Sequence, residues 1–190
     1  MRKGLNWVYS IERTILSEKD IQARVQAIAQ QIDLDYQDEE YPIILICILK
    51  GAFVFCADLI RCLNIPFEVH FMDVSSYNDG TQSSGVVKIE KDISVNITDR
   101  RVIIIEDIVD TGLTLAYLKE FLDGRHPRSL AICTLLDKPE ARQAEVQVDY
   151  SGFQIGNEFV VGYGLDFAQQ LRGLPGISIL KPEVYQEDEE

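Results

Sequence analysis

The sequence is poor in cysteine, histidine and basic residues, and it has no long apolar run. Only four cysteines stand in 190 residues. They form no CxxC pair, and no histidine or second cysteine lies at metal-binding spacing, which argues against a cysteine-built metal site. Cys47 and Cys133 fall inside strand-like apolar runs. Together with Cys56 and Cys62 they read as reduced thiols packed in a core, which points to the cytoplasm. The two histidines, His70 and His126, are isolated and read as surface or packing residues. The longest apolar run, Ile43 to Leu49, is seven residues, whereas a membrane-spanning helix needs about 20. Arg2 and Lys3 are followed by no apolar stretch, so no signal peptide is expected.

Basic residues are outnumbered 18 to 31, for a net charge of −13. A field of that sign repels nucleic acid and anionic membranes, so neither is an expected partner. Anionic small substrates remain possible, provided that local cations, metal ions or backbone amides capture them. The tail Gln186 to Glu190 carries four of the negative charges and reads as a solvated end.

What is present is ordinary for a globular protein: 46% apolar and 26% charged residues. The length suits one domain over 1–190 with a single substantial core. Ser17-Glu18-Lys19-Asp20 is a capping-box pattern that opens a helix with Ile21, Val25, Ile28, Ala29 and Ile32 on one face. Ile43 to Leu49 reads as a strand buried on both faces, ended by Lys50-Gly51. A helix face follows in Phe53, Cys56, Leu59, Ile60 and Leu63. Further strands are expected at Phe67 to Val74, Val86 to Ile89, Ile93 to Val95, Val102 to Ile105, Ser129 to Leu135, Glu158 to Val161 and Ile177 to Leu180. A polar loop is expected from Ser75 to Gly85, and a helix from about Leu113 to Leu122. Apolar strands alternating with helices imply an α/β fold, a central parallel sheet flanked by helices. Ligands on such sheets bind at the carboxyl ends of the strands.

The most informative stretch runs from Val102 to Leu115. A buried strand leads into Glu106 and Asp107, a third carboxylate follows at Asp110, and a Thr111-Gly112-Leu113-Thr114 turn opens a helix. A helix N-terminus offers free N–H groups and partial positive charge, which suits a phosphate. Gly112 lets the backbone come close, and Thr111 and Thr114 add hydroxyls. Glu106 and Asp107 could accept hydrogen bonds from a diol or hold hydrated Mg2+. The alternative use of Asp110 is to cap the helix. Neither GxxxxGK[ST] nor GxGxxG occurs.

This stretch resembles the ribose-phosphate signature of the type I phosphoribosyltransferases, most closely the hypoxanthine-guanine phosphoribosyltransferases. Leu49-Lys50-Gly51-Ala52-Phe53 is similar to the family's pyrophosphate loop. Ser75-Ser76-Tyr77, with Gly80-Thr81 and Ser83-Ser84-Gly85, looks like its catalytic lid. Leu136-Asp137-Lys138-Pro139 resembles its purine-reading segment. Phe159 to Asp166 and Arg172 resemble a hood over the base.

The resemblance implies a core over about 17–160 and a small hood over the carboxyl strand ends, from about 159–180 plus N-terminal residues. It implies transfer of a phosphoribosyl group from phosphoribosyl pyrophosphate to hypoxanthine or guanine, giving IMP or GMP and pyrophosphate. Asp110 would act at the purine N7, and Ser76 and Tyr77 would close over the site. Lys50, Gly51 and Arg172 would meet pyrophosphate. Glu106 and Asp107 would hold the ribose hydroxyls, directly or through metal, and the run from Ile108 and Val109 through Thr111, Gly112, Leu113 and Thr114 would bind the 5′-phosphate. Lys138 would donate to the 6-oxo group, Phe159 would stack, and Val160 and Asp166 would meet the 2-position. Two Mg2+ ions, with Mn2+ as a substitute, would sit on Glu106, Asp107 and Asp166. A homodimer or homotetramer is expected. Some relatives carry lysine where Leu113 stands. A xanthine-preferring enzyme is the neighbouring reading. A nucleic-acid-binding regulator on the same fold is opposed by the charge and by the lack of a basic cluster.

Overall fold

The computed structural model describes residues 10–79 and 82–184. The elements in order are β1 (Ile11–Leu16), α1 (Glu18–Tyr36), β2 (Ile43–Leu49), α2 (Phe53–Cys62), β3 (Phe67–Asp79), β4 (Gln82–Lys91) and β5 (Arg101–Val109). There follow α3 (Leu113–Asp123), β6 (Ser129–Asp137), β7 (Tyr150–Gln154), β8 (Val160–Val161) and β9 (Ile177–Leu180). Six strands form one sheet in the order β4-β3-β2-β5-β6-β7, and β1-β9-β8 form a second. In the large sheet every pairing is parallel except β3 with β4.

The apolar runs of β2 and β5 are explained by burial on both faces. Ile43, Leu45, Cys47, Ile103 and Ile105 join α1 and α2 in one core layer. Ile44, Ile46, Val102 and Ile104 join Leu115, Leu118 and Leu122 of α3 in the other. The helix faces follow from their spacing, and α1 opens with the expected capping box between Ser17 and Asp20. Among the described residues, no helix is long and apolar enough to cross a membrane.

Several boundaries differ from the sequence expectation. Ser75 to Gly85 is not a plain polar loop: β3 continues to Asp79, and β4 begins at Gln82. Antiparallel pairing such as Ser75 with Lys88 and Ser76 with Val87 satisfies the backbone, so polar side chains are no obstacle in this edge hairpin. Ile93 to Val95 is not a strand, and Ile93 packs into the α3-side core instead. The strand expected at Glu158 to Val161 is only Val160–Val161. β1 and β7 lacked a readable signal. β1 lies at the edge of its sheet with an exposed, polar middle, and β7 is a Gly-containing edge strand. β5 and β6 run past their apolar stretches, pairing Val109 with Asp137, so Glu106 and Asp107 lie on the ladder itself.

The strand order places the site. The chain leaves β2 for β3 and β4 on one side, then returns to β5 on the other, so the order reverses between β2 and β5. A crevice opens at the carboxyl ends of strands at such a point. The second sheet caps the α1/α2 side, with Val160, Ile177 and Ile179 in the same core layer. Ile103→Ala and Ile104→Ala empty opposite faces of β5, and each should cost ~2–5 kcal/mol. Urea midpoints at unchanged slope measure this; a loss below ~1 kcal/mol for either would mean that face is not tightly packed.

Candidate active site

A cavity of about 690 Å3 opens at the carboxyl ends of β2 and β5. Its lining includes Lys50, Gly51, Asp107, Ile108, Asp110, Lys138, Phe159, Val160, Asp166 and Arg172, ten of the residues singled out in the sequence. A smaller cavity of about 100 Å3 adjoins the start of α3, lined by Glu106, Ile108, Val109, Asp110, Thr111, Gly112 and Thr114. Ile108 and Asp110 border both. The two neighbouring carboxylates are therefore divided by the twofold alternation of β5: Glu106 lines the small cavity and Asp107 the large one. Leu113 starts α3 and lines neither. The backbones of Ser76 and Tyr77 belong to β3. Their side chains, with Gly80 and Thr81, lie outside the described residues.

The turn before α3 needs its glycine. Gly112 occupies the N-cap position at φ 79, in the left-handed region, and the first helical amide, that of Leu113, donates to Thr111 Oγ1 at 3.5 Å. Asp110 is thus not a cap; its Oδ2 accepts a bond from Lys138 Nζ at 3.1 Å. The lysine side chain is only 7% exposed and the aspartate 50%. The Lys138 amide also donates to the Val109 carbonyl at 2.9 Å, fixing the two strand ends together.

Sequence reasoning missed Arg142. It donates to the Asp110 carbonyl at 2.9 Å and pairs with Asp137. Beside it, the amides of Gln143 and Ala144 donate to the Thr111 carbonyl. The 142–144 segment therefore straps the Asp110–Gly112 turn. A lone arginine after Lys138-Pro139 carries no motif that could have announced this. Asp73, Glu90 and Gln169 also line the large cavity without having been singled out, and Ser75 of the expected lid lines it too.

On the opposite wall, Arg172 pairs with Asp166 at 2.6 Å and donates to the Gly164 carbonyl at 2.7 Å. Phe159 packs edge-on against Phe167, with ring centroids 5.7 Å apart. The Leu49–Lys50 peptide is cis. Gly51 lies so close to the Asp107 carboxylate that a Cβ there would collide with it.

The electrostatics are unusual for an anion site. Lining the large cavity are five carboxylates (Asp73, Glu90, Asp107, Asp110, Asp166) and three cations (Lys50, Lys138, Arg172). Burial, and then Asp107, push the Glu106 carboxyl well above 4.5. Its Oε2 is buried without a hydrogen-bond partner among the described residues. Burial pushes Asp107 up to about 6, opposed by the Ile108 amide and Arg172. Buried, underpartnered carboxylates are the donor chemistry that a hard cation such as Mg2+ takes. No three such side chains converge among the described residues. A Mg2+ here would draw one or two ligands from the chain and the rest from substrate oxygens and water.

The comparisons agree with this geometry. Residues 13–168 match the phosphoribosyl transferase domain family. The chain is 47% identical over 178 residues to the hypoxanthine-guanine phosphoribosyltransferase of Bacillus subtilis, covering 94% of this chain and 98% of that protein. It is 48% identical over 181 residues to the enzyme of the same name from Mycobacterium avium, covering 93% and 89%. A crystal structure of a hypoxanthine phosphoribosyltransferase from Staphylococcus aureus superposes with a TM-score of 0.90 at 44% identity, covering 96% of this chain and all of that one.

Asp107 gives a pH test. Its folded pKa of about 6 lies above the ordinary 3.8, so folding favours the protonated acid. That contribution is full below pH ~4 and is lost as pH rises through ~6. Asp107→Asn keeps an oxygen for the Ile108 amide, so it should stand above wild type in Tm at pH 8, by on the order of several °C, and lose this advantage toward pH 4. Parallel Tm profiles from pH 4 to 8 would contradict the shift. Cleft, turn and relatives converge: the chain belongs to the phosphoribosyltransferase family, in its hypoxanthine-guanine branch.

Proposed function

We propose that this chain transfers the 5-phosphoribosyl group from phosphoribosyl pyrophosphate to N9 of hypoxanthine or guanine, releasing IMP or GMP and pyrophosphate, as a purine-salvage transferase. The observation that carries the reading is the Lys138–Asp110 pair at the cavity wall. An ammonium has three donors. One meets Asp110, which leaves two to point at a purine 6-oxo group. Adenine has a 6-amino group there with no lone pair to offer, and the mismatch disfavours it strongly. Asp110, half-exposed beside that lysine, would take the N7 proton.

The remaining residues divide the substrate between the two cavities. The Thr111–Thr114 turn and the start of α3 take the 5′-phosphate on backbone amides and hydroxyls, with Ile108 and Val109 leading into it. Glu106 and Asp107 reach the ribose hydroxyls from opposite faces of β5. Lys50, Gly51 and Arg172 receive pyrophosphate. Phe159 stacks on the base, and the backbones of Val160 and Asp166 meet its 2-position. The β1-β9-β8 sheet serves as the hood, and Ser76 and Tyr77 close over the site to exclude water. Asp107, Glu106 and Asp166 would hold Mg2+, two ions in all, with Mn2+ as a substitute. When bound, the metal neutralises charge on the pyrophosphate and polarises its leaving oxygen. The working form is a homodimer or homotetramer. Four free cysteines suit the reducing cytoplasm.

The test is a purine panel with Mg2+ and phosphoribosyl pyrophosphate. Wild type should turn over hypoxanthine and guanine and leave adenine inert. Asp110→Asn should lower kcat ~10²–10⁴-fold. Xanthine as the dominant base would move the assignment to the neighbouring enzyme. A kcat within a factor of a few of wild type would remove Asp110 from the chemistry.

A further inference from the structure

Tyr163 lies outside the cavity lining, yet its surroundings tie the two ends of the pyrophosphate subsite together. Asp166 and Arg172 sit on one tightly folded segment. Gly162 and Leu165 exchange backbone bonds at 3.0 Å, and the Gly164 amide donates to the Arg172 carbonyl at 3.0 Å. Arg172 Nη1 returns to the Gly164 carbonyl at 2.7 Å. Gly164 in turn lies flush on the Gly51 carbonyl, with no room for a Cβ.

Tyr163 stands between two glycines at φ 102 and 104, and is itself at φ 49. An L-residue with a large ring rarely adopts that conformation, so the surroundings must hold it there. They do so at three points. The Tyr163 amide donates to the Leu174 carbonyl at 2.8 Å. The residue is 5% exposed and packs in the α1/α2-side core. The hydroxyl donates to Asp58 Oδ2 at 2.7 Å. Asp58 belongs to α2, which begins at Phe53, two residues after Gly51. Burial and the Asp58 bond push the phenol upward, so it stays a donor at neutral pH.

We infer that Tyr163 is a positioning residue: its hydroxyl bond to Asp58 holds the segment bearing Asp166 and Arg172 in register with the Lys50–Gly51 turn, and so sets the affinity for the pyrophosphate group. This rests on the function proposed above. Neither Tyr163 nor Asp58 lines the large cavity, and hypoxanthine has only a hydrogen at the 2-position that Asp166 would meet, so the effect falls on phosphoribosyl pyrophosphate. A tyrosine that merely fills the core would change stability and leave substrate affinities alone.

The experiment measures KM for phosphoribosyl pyrophosphate and for hypoxanthine separately, with Tm alongside. Removing one partner of a buried hydrogen bond leaves the other unpaired and frees the segment it held. Tyr163→Phe, which keeps the ring, should therefore raise KM for phosphoribosyl pyrophosphate about tenfold, with KM for hypoxanthine changed by less than about twofold. Asp58→Ala should do the same, and the double variant should be no worse than either single one. Asp58→Asn retains an acceptor oxygen and should restore most of the affinity. The inference is overturned if Tyr163→Phe lowers Tm with both KM values unchanged, if both KM values rise together, or if the two single effects add. Wild type inactive on every purine would overturn the function instead, a result read before any variant is made.

Discussion

Two neighbouring carboxylates, Glu106 and Asp107, leave opposite faces of β5 near its end, largely withdrawn from water and with no ion-pair partner among the described residues. Taking an unpaired carboxylate out of water costs several kcal/mol, and the protein meets part of that cost by favouring the protonated acids. The rest of the site follows from this constraint. Gly51 must lack a side chain because Asp107 occupies the space beside it. Arg172 approaches Asp107 but is itself held by Asp166 and the Gly164 carbonyl. A polyanion entering the cleft meets more negative than positive side chains. A divalent cation would reconcile these charges, with the carboxylate oxygens of β5 among its ligands.

The scaffold keeps such a costly arrangement by surrounding it with rigid elements. β2 and β5 are packed on both faces, which braces their carboxyl ends. The Asp110–Gly112 turn is held from outside by Arg142 and by the amides of Gln143 and Ala144. The opposite wall is held by Tyr163 and Asp58. Each tie leaves the cavity lining free and fixes the backbone that presents it. Stability lost at the strand ends is thus offset in the core, where 0% exposed Ile103, Ile104 and Ile105 sit beneath the carboxylates.

The central sheet and its helices were legible because their residues obey simple periods. Ile43 to Leu49 is a continuous apolar run, and Ile21, Val25, Ile28 and Ile32 recur at helical spacing. Asp110 and Gly112 stood out in the strand–carboxylate–turn pattern and Lys138 through its resemblance to a purine-reading segment, and the structure brings them to adjoining cavities. The β3–β4 hairpin was not, since Ser75 to Gly85 is polar and its order comes from cross-strand pairing. Arg142 was not, because its partners Asp110 and Asp137 become neighbours only when β5 and β6 pair. The separation of Glu106 from Asp107 follows from strand alternation, but only once β5 is known to extend to Val109.

The constraint is tested most directly by titrating phosphoribosyl pyrophosphate into the unmodified protein in a calorimeter, once with Mg2+ and once with EDTA. A cleft with excess buried negative charge should bind the polyanion only when the cation is present, with affinity at least ~100-fold weaker in EDTA. Equal affinity in both would show that backbone amides and Lys50, Lys138 and Arg172 suffice, and would contradict the account.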